Sequence, residues 1–138
     1  MAQSQAESVR ARYEGLSKAT IRSAFDGVHP DFELKTADRV PNAGTYRGAE
    51  AATKFVADLF EPFDEVTYVP QQTFEHRNQV VVYLLVHSRP HGSNSVVEHQ
   101  IGALWTFRDG LPVRCEMFPK REHALEAAGM SERDAVTI

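Results

Sequence analysis

Between residues 65 and 118 the chain carries four long stretches of strand character joined by very short connections, which restricts the fold more than any other feature. The stretches are 65–75, 79–89, 95–107 and 111–118, separated only by His76–Asn78, Pro90–Asn94 and Asp109-Gly110. Asp-Gly is a strong tight-hairpin signal, because the central residues of such a turn need positive φ. A parallel crossover needs a dozen or more residues, so connections this short impose an antiparallel meander. From Val80 to Val86 the residues are apolar at successive positions, so both faces of that strand must be covered. One face covers a core or a pocket. The other asks for a partner, which points to a homodimer packed through the outer sheet face.

Upstream of residue 65 the apolar period is helical. Residues 3–15 hold good helix formers, and Val9, Tyr13 and Leu16 fall at helical spacing. Ser17 is a plausible N-cap for a second helix through Ile21, Ala24 and Phe25, which Gly27 and His29-Pro30 end. Phe32 and Leu34 alternate with Glu33 and Lys35 as a short half-buried strand, and residues 37–47 read as a loop. A third helix covers Ala49–Phe60, with an apolar stripe of Ala52, Phe55, Val56, Leu59 and Phe60, and Pro62 stops it. Arg121–Ala128 forms a short last helix with Gly129 as its C-cap. Helices followed by a run of strands mean an α+β chain, expected as one domain over residues 1–138.

The formal charge is −4, from 15 basic and 19 acidic residues, and the basic ones do not gather on one segment. A nucleic-acid surface needs a concentrated positive stripe, so neither nucleic acid nor an anionic membrane is the expected partner. Cys115 is the only cysteine, which rules out an intramolecular disulfide and fits a reducing compartment. Residues Met1–Arg12 lack the apolar core of a secretion signal, and no segment approaches the ~18 apolar residues of a membrane helix. The expected location is cytoplasmic. Six histidines invite a metal reading, but only His87 and His91 are close, and zinc needs three or four converging ligands. No metal and no cofactor are expected.

Four stretches, in order along the chain, carry a likeness to a known family. They are Ala11-Arg12-Tyr13; Tyr46-Arg47-Gly48-Ala49-Glu50-Ala51; Phe107-Arg108-Asp109-Gly110; and Glu116-Met117-Phe118 followed by Ala124–Gly129. The ordered set resembles the SnoaL-like polyketide cyclase proteins of the nuclear transport factor 2-like, ketosteroid isomerase-like superfamily. The resemblance implies a cone-shaped half-barrel, a strongly curved antiparallel sheet wrapped around the N-terminal helices. It implies a pocket for an apolar small molecule between the concave face and the helices, and commonly a homodimer. It does not specify function, because this fold hosts isomerases, hydrolases, cyclases, dehydratases and binding domains.

Tyr13 resembles the helix-one tyrosine of the ketosteroid isomerases, a phenol that donates to a developing oxyanion. An aromatic residue there also serves packing alone. The isomerase base position falls on Thr36, which cannot accept a proton from carbon. Asp38, two residues on, is the substitute, or else a solvated residue paired with Arg39. The third isomerase group falls near Ala103, with no acid nearby, so a steroid isomerase is not expected. The acid–arginine–acid set of the limonene epoxide hydrolases would fall near Leu84, Val86 and Met117, all apolar.

On the last strand, alternation puts Val113, Cys115 and Met117 on the pocket face and Arg114 and Glu116 outside, unless a one-residue bulge reverses them. Cys115 beside Glu116 lacks the positive surroundings of a reactive thiolate. His99 shares a strand face with Ile101, Ala103 and Trp105 and is either the proton carrier or a buried neutral histidine. The resulting expectation is a cofactor-free acid–base enzyme, an isomerase, cyclase or dehydratase acting on an apolar carbonyl compound. His99 or Asp38 would move the proton and Tyr13 or Tyr46 would steady the enolate. Leu34, Thr36, Phe55, Leu84, Val86, Ile101, Trp105, Cys115 and Met117 would line the pocket. The alternative is a noncatalytic binding or assembly domain with the same pocket.

Overall fold

The computed structural model describes residues 4–136. Helix α1 spans Gln5–Tyr13, and its first turn is capped by Ser4, whose Oγ accepts the Glu7 N–H at 3.1 Å. The second helical segment, Lys18–Phe25, winds as 3₁₀ and not as α. Its Thr20 hydroxyl accepts the Ser17 N–H at 2.9 Å and donates to the Gly15 carbonyl at 3.3 Å, a local bonding pattern that competes with the α-helical ladder. Strand β1 is Glu33–Lys35, β2 is Thr45–Arg47 and α2 is Ala49–Phe60. The meander follows as β3 (Phe63–His76), β4 (Gln79–Pro90), β5 (Val97–Arg108) and β6 (Leu111–Phe118). Helix α3 (Arg121–Ala127) and a two-residue strand β7 (Ala135–Val136) complete the described residues. The expected loop 37–47 thus hides β2, and β7 was not expected at all. Each is too short to show alternation and forms only because a partner strand lies beside it.

The seven strands form one open sheet in the order β2-β1-β6-β5-β4-β3-β7. All neighbours are antiparallel except β1 and β6, where Leu34 stands opposite Cys115. One-residue register shifts break the ladders at Phe63/Glu65 and Pro70/Thr73 of β3 and at Thr106/Phe107 of β5. Bulges of this kind increase local twist and bend the strand, which gives the sheet its curvature. The bulge on β6 falls at Val113, before Arg114, so it leaves the alternation of Cys115, Glu116 and Met117 intact.

The main core lies between the concave face and the helices. It joins Val9 and Tyr13 of α1, Phe25, Phe55 and Phe60 to Val82, Leu84, Trp105 and Cys115 of the sheet. A second cluster covers the convex face: Phe74, Val81, Tyr83 and Leu104 are buried against Ala124 of α3 and Met130. Part of the outer face of Val80–Val86 is thus covered within the chain itself. At Val81 and Tyr83 the cover comes from the same chain. Gly102 makes it possible, because α3 crosses β5 so closely that a Cβ there would stand 2.8 Å from Arg121 Cα and 2.9 Å from Ala124 Cβ. No helix among the described residues is long and apolar enough to cross a membrane.

Candidate ligand cavity

A small cavity lies where the concave face meets the helices. Its walls are Arg12, Tyr13 and Leu16 from α1 and its exit, Ile21, Ala24 and Phe25 from the 3₁₀ segment, and Val56 from α2. From the sheet come Leu34, Tyr68, Leu84, Ile101, Ala103, Trp105, Cys115 and Met117. Alternation on β5 and β6 brings these side chains inward because their neighbours take the other face. Glu116, for example, points outward, 3.6 Å from Arg114 and 4.0 Å from Lys35.

The polar atoms of the lining are few. Trp105 Nε1 donates to the Tyr13 hydroxyl at 3.0 Å. The rings of Tyr13 and Tyr68 lie with centroids 5.6 Å apart. The Arg12 guanidinium sits 5.6 Å from the Trp105 ring centroid, in cation–π range. Its Nη1 donates to the Ala24 and Asp26 carbonyls at 3.0 and 2.7 Å, while its buried Nε–H has no partner among the described residues. Burial raises the Tyr13 phenol well above its ordinary pKa, with Cys115 adding to the effect. Burial likewise raises Tyr68, and it raises the Cys115 thiol despite the neighbouring Tyr13 hydroxyl. Burial lowers the Arg12 guanidinium from its usual value. At neutral pH the cavity therefore offers two protonated phenols, a neutral thiol and a guanidinium: hydrogen-bond donors without a base.

Of the residues singled out from the sequence, Tyr13, Leu34, Leu84, Ile101, Trp105, Cys115 and Met117 line this cavity. The others do not. His99 keeps to the face of Ile101, but it stands one pleat further along β5, opposite Val86, and is exposed to solvent. Neither reading of it, proton carrier in the pocket or buried neutral histidine, describes that position. Asp38 is exposed in a separate cleft and forms no ion pair with Arg39. Thr36 is buried but spends its hydroxyl on the loop, accepting the Gly44 N–H at 2.9 Å and donating to the Ala37 carbonyl at 3.1 Å. Tyr46 donates to the Asn42 carbonyl and packs on Phe55, ring centroids 4.6 Å apart, beside an outer groove. Val86 belongs to the core. Alternation found the right faces, and what it missed is how far along each strand the cavity reaches.

Arg12, Leu16, Ile21, Phe25, Val56 and Tyr68 were not singled out as pocket residues. Arg12 adjoins Tyr13 at the end of α1, and Tyr68 shares the concave face of β3 with Val66. Among the described residues, no three His, Cys, Asp or Glu side chains converge as metal ligands would.

A model of the SnoaL-like domain matches residues 9–115. The chain belongs to the SnoaL-like domain family. That match takes in α1 from Val9 onward, the cavity's helical wall and the sheet as far as Cys115. Comparison with curated protein sequences gives no match. Among solved structures, this SnoaL-like domain is similar to TerC co-crystallised with polyporic acid, at 23% identity and a TM-score of 0.70 over 81% of this chain and 88% of that one. It is similar to a nuclear transport factor 2-like protein of unknown function from Burkholderia pseudomallei, at 17% identity and a TM-score of 0.71 over 87% and 93% of the two chains. A hypothetical protein with a ketosteroid isomerase-like fold from Catenulispora acidiphila, in complex with trimethylamine, matches at 11% identity and a TM-score of 0.68 over 94% and 96%. At these identities the likeness shows the fold alone.

Proposed function

We propose that this SnoaL-like domain binds a small, largely apolar carbonyl or enol compound in the cavity, with the ligand's oxygen met by Tyr13, Tyr68 and Arg12. The observation that carries this reading is the composition of the lining. An apolar enclosure with a few polar donors grouped on one side is the usual construction of a small-molecule site. Arg12 Nε is a buried donor that an oxygen acceptor would satisfy. The acid co-crystallised with TerC is a ligand of compatible chemistry, because a guanidinium favours an acidic oxygen.

Acid-assisted turnover, such as isomerisation or aldol-type cyclisation of a readily enolised substrate, is a second reading, and one contact favours it. Because Trp105 donates to Tyr13, the phenol keeps its own proton to donate, to the Cys115 sulfur or in its place to a substrate oxygen, and the Trp105 hydrogen bond strengthens that donor. Proton abstraction by His99 or Asp38 has no support in the geometry, since neither lines the cavity.

Trp105 is the only tryptophan and forms a cavity wall, so its fluorescence reports occupancy directly. Titration with small aromatic ketones, enols and phenols is expected to give saturable quenching. Tyr13→Phe and Tyr68→Phe should each weaken binding by about ten-fold, the worth of one hydrogen bond, and His99→Ala should leave it unchanged. The absence of saturable quenching by any member of the panel would refute the reading. Turnover that disappears in His99→Ala would overturn the assignment of the site.

A further inference from the structure

The inner cavity is small, about 40 Å³. An apolar cavity of roughly 150 Å³ is what holds a benzene ring. A ligand with one ring inside this protein must therefore enlarge the space, and the lining offers one side chain suited to giving way. Met117 is half-buried, unbranched and flexible, and it is the only described residue to line both the cavity and a larger cleft of about 450 Å³ at the end of β6. Its thioether is the side chain that stands between the two spaces.

The cleft differs in chemistry from the cavity. Although the chain carries a net charge of −4, this cleft brings together Lys35, Arg39 and Lys120 against only Asp38 and Glu116, with His123 also on its wall. Glu116 is already held by Lys35 and Arg114. Arg39 and Lys120 make no ion pair with any described residue, which leaves two cations at the mouth available to an anion. A mostly apolar cavity inside and two unpaired cations outside, divided by one movable side chain, match a molecule with those two ends.

We propose that the cavity and the cleft are two halves of one site for an amphipathic organic anion. Its apolar ring or chain enters past Met117, and its carboxylate is held at Arg39 and Lys120. This rests on the ligand-binding reading of the cavity, to which it adds the substrate class and the direction of entry.

The test uses Trp105 fluorescence with a probe series: benzoate, phenylacetate, 3-phenylpropionate and 4-phenylbutyrate, each beside its uncharged primary amide. The expected result is tighter binding of acid than of amide by about five-fold for the longer members, disappearing in Arg39→Gln/Lys120→Gln and in high salt. Met117→Ala should tighten binding of acid and amide alike by opening the passage. Circular dichroism of each variant confirms that the fold is kept. Acid and amide binding equally well, with quenching intact, would overturn the two-part site while leaving the cavity reading in place. Failure of both to quench would overturn the cavity reading and the two-part site with it.

Discussion

The crossing of α3 over β5 at Gly102 offers a sharp test of how the convex face is closed. In Gly102→Ala the new methyl would lie 2.8 Å from Arg121 Cα, 2.9 Å from Arg121 O and 2.9 Å from Ala124 Cβ. Two of those atoms are backbone and the third is fixed to a helix, so no side-chain rotation relieves the overlap. The protein has two responses. Releasing α3 would expose much of the cluster of Phe74, Val81, Tyr83, Leu104 and Met130, at about 1.5–3 kcal/mol for each large side chain. Sliding α3 outward by a fraction of an ångström costs only the strain of overpacking, about 1–3 kcal/mol. The second is cheaper, so the variant should fold, with α3 displaced but attached and stability lowered by about 2 kcal/mol.

Urea denaturation followed by circular dichroism measures this, and an unchanged slope would show that the extent of unfolding is the same. A double-mutant cycle with Ala124→Gly isolates the methyl–methyl contact from the two backbone contacts that remain. A midpoint for Gly102→Ala within about 0.5 kcal/mol of wild type would refute the close crossing, and with it the intramolecular cover proposed for Val81 and Tyr83.

Three further outcomes follow from the cavity. Tyr13→Phe leaves the buried Trp105 N–H without an acceptor at 3.0 Å and should cost about 1–3 kcal/mol of stability; a loss as small as that of Tyr68→Phe, which orphans no donor, would contradict the hydrogen bond. Burial raises the pKa of Cys115, Tyr13 and Tyr68, so the folded state keeps these protons after the unfolded chain releases its own near the ordinary values of 9.0 and 10.0. Stability should therefore be full below about pH 9 and fall as pH rises, by up to about 1.4 kcal/mol per pH unit for each group; equal urea midpoints at about pH 8 and 10.5 would show these groups to be solvated. The Cys115 thiol should react with a bulky disulfide reagent at least about a hundred-fold more slowly in the folded than in the urea-unfolded protein, and a cavity ligand should slow it further; rapid labelling of the native state would place the sulfur outside the cavity.

The strands and their faces were legible because they rest on local chemistry. Asp109-Gly110 and the other brief connections left an antiparallel meander as the available pairing, and β4, β5 and β6 appear within a residue or two of their expected bounds. Alternation then placed Ile101, Trp105, Cys115 and Met117 on the inner face and Glu116 outside, where its pairing with Arg114 keeps it. The Tyr13 and Trp105 that the pattern brought to one side meet in a hydrogen bond.

What the sequence by itself determined was thus direction: which side of each strand faces the helices. Where along those strands the cavity begins and ends belongs to the tertiary structure. His99 has the right face and lies one pleat too far, on a stretch of β5 that is exposed to solvent. Arg12 and Tyr68 carry no periodic signal of function and enter the site only because α1 and β3 meet across the concave face. The cover of Val81 by α3 depends on a glycine twenty-one residues away, a contact no local pattern encodes. Alternation is set by the backbone of each strand alone, whereas enclosure requires surfaces distant in sequence to meet, and that meeting is decided by packing.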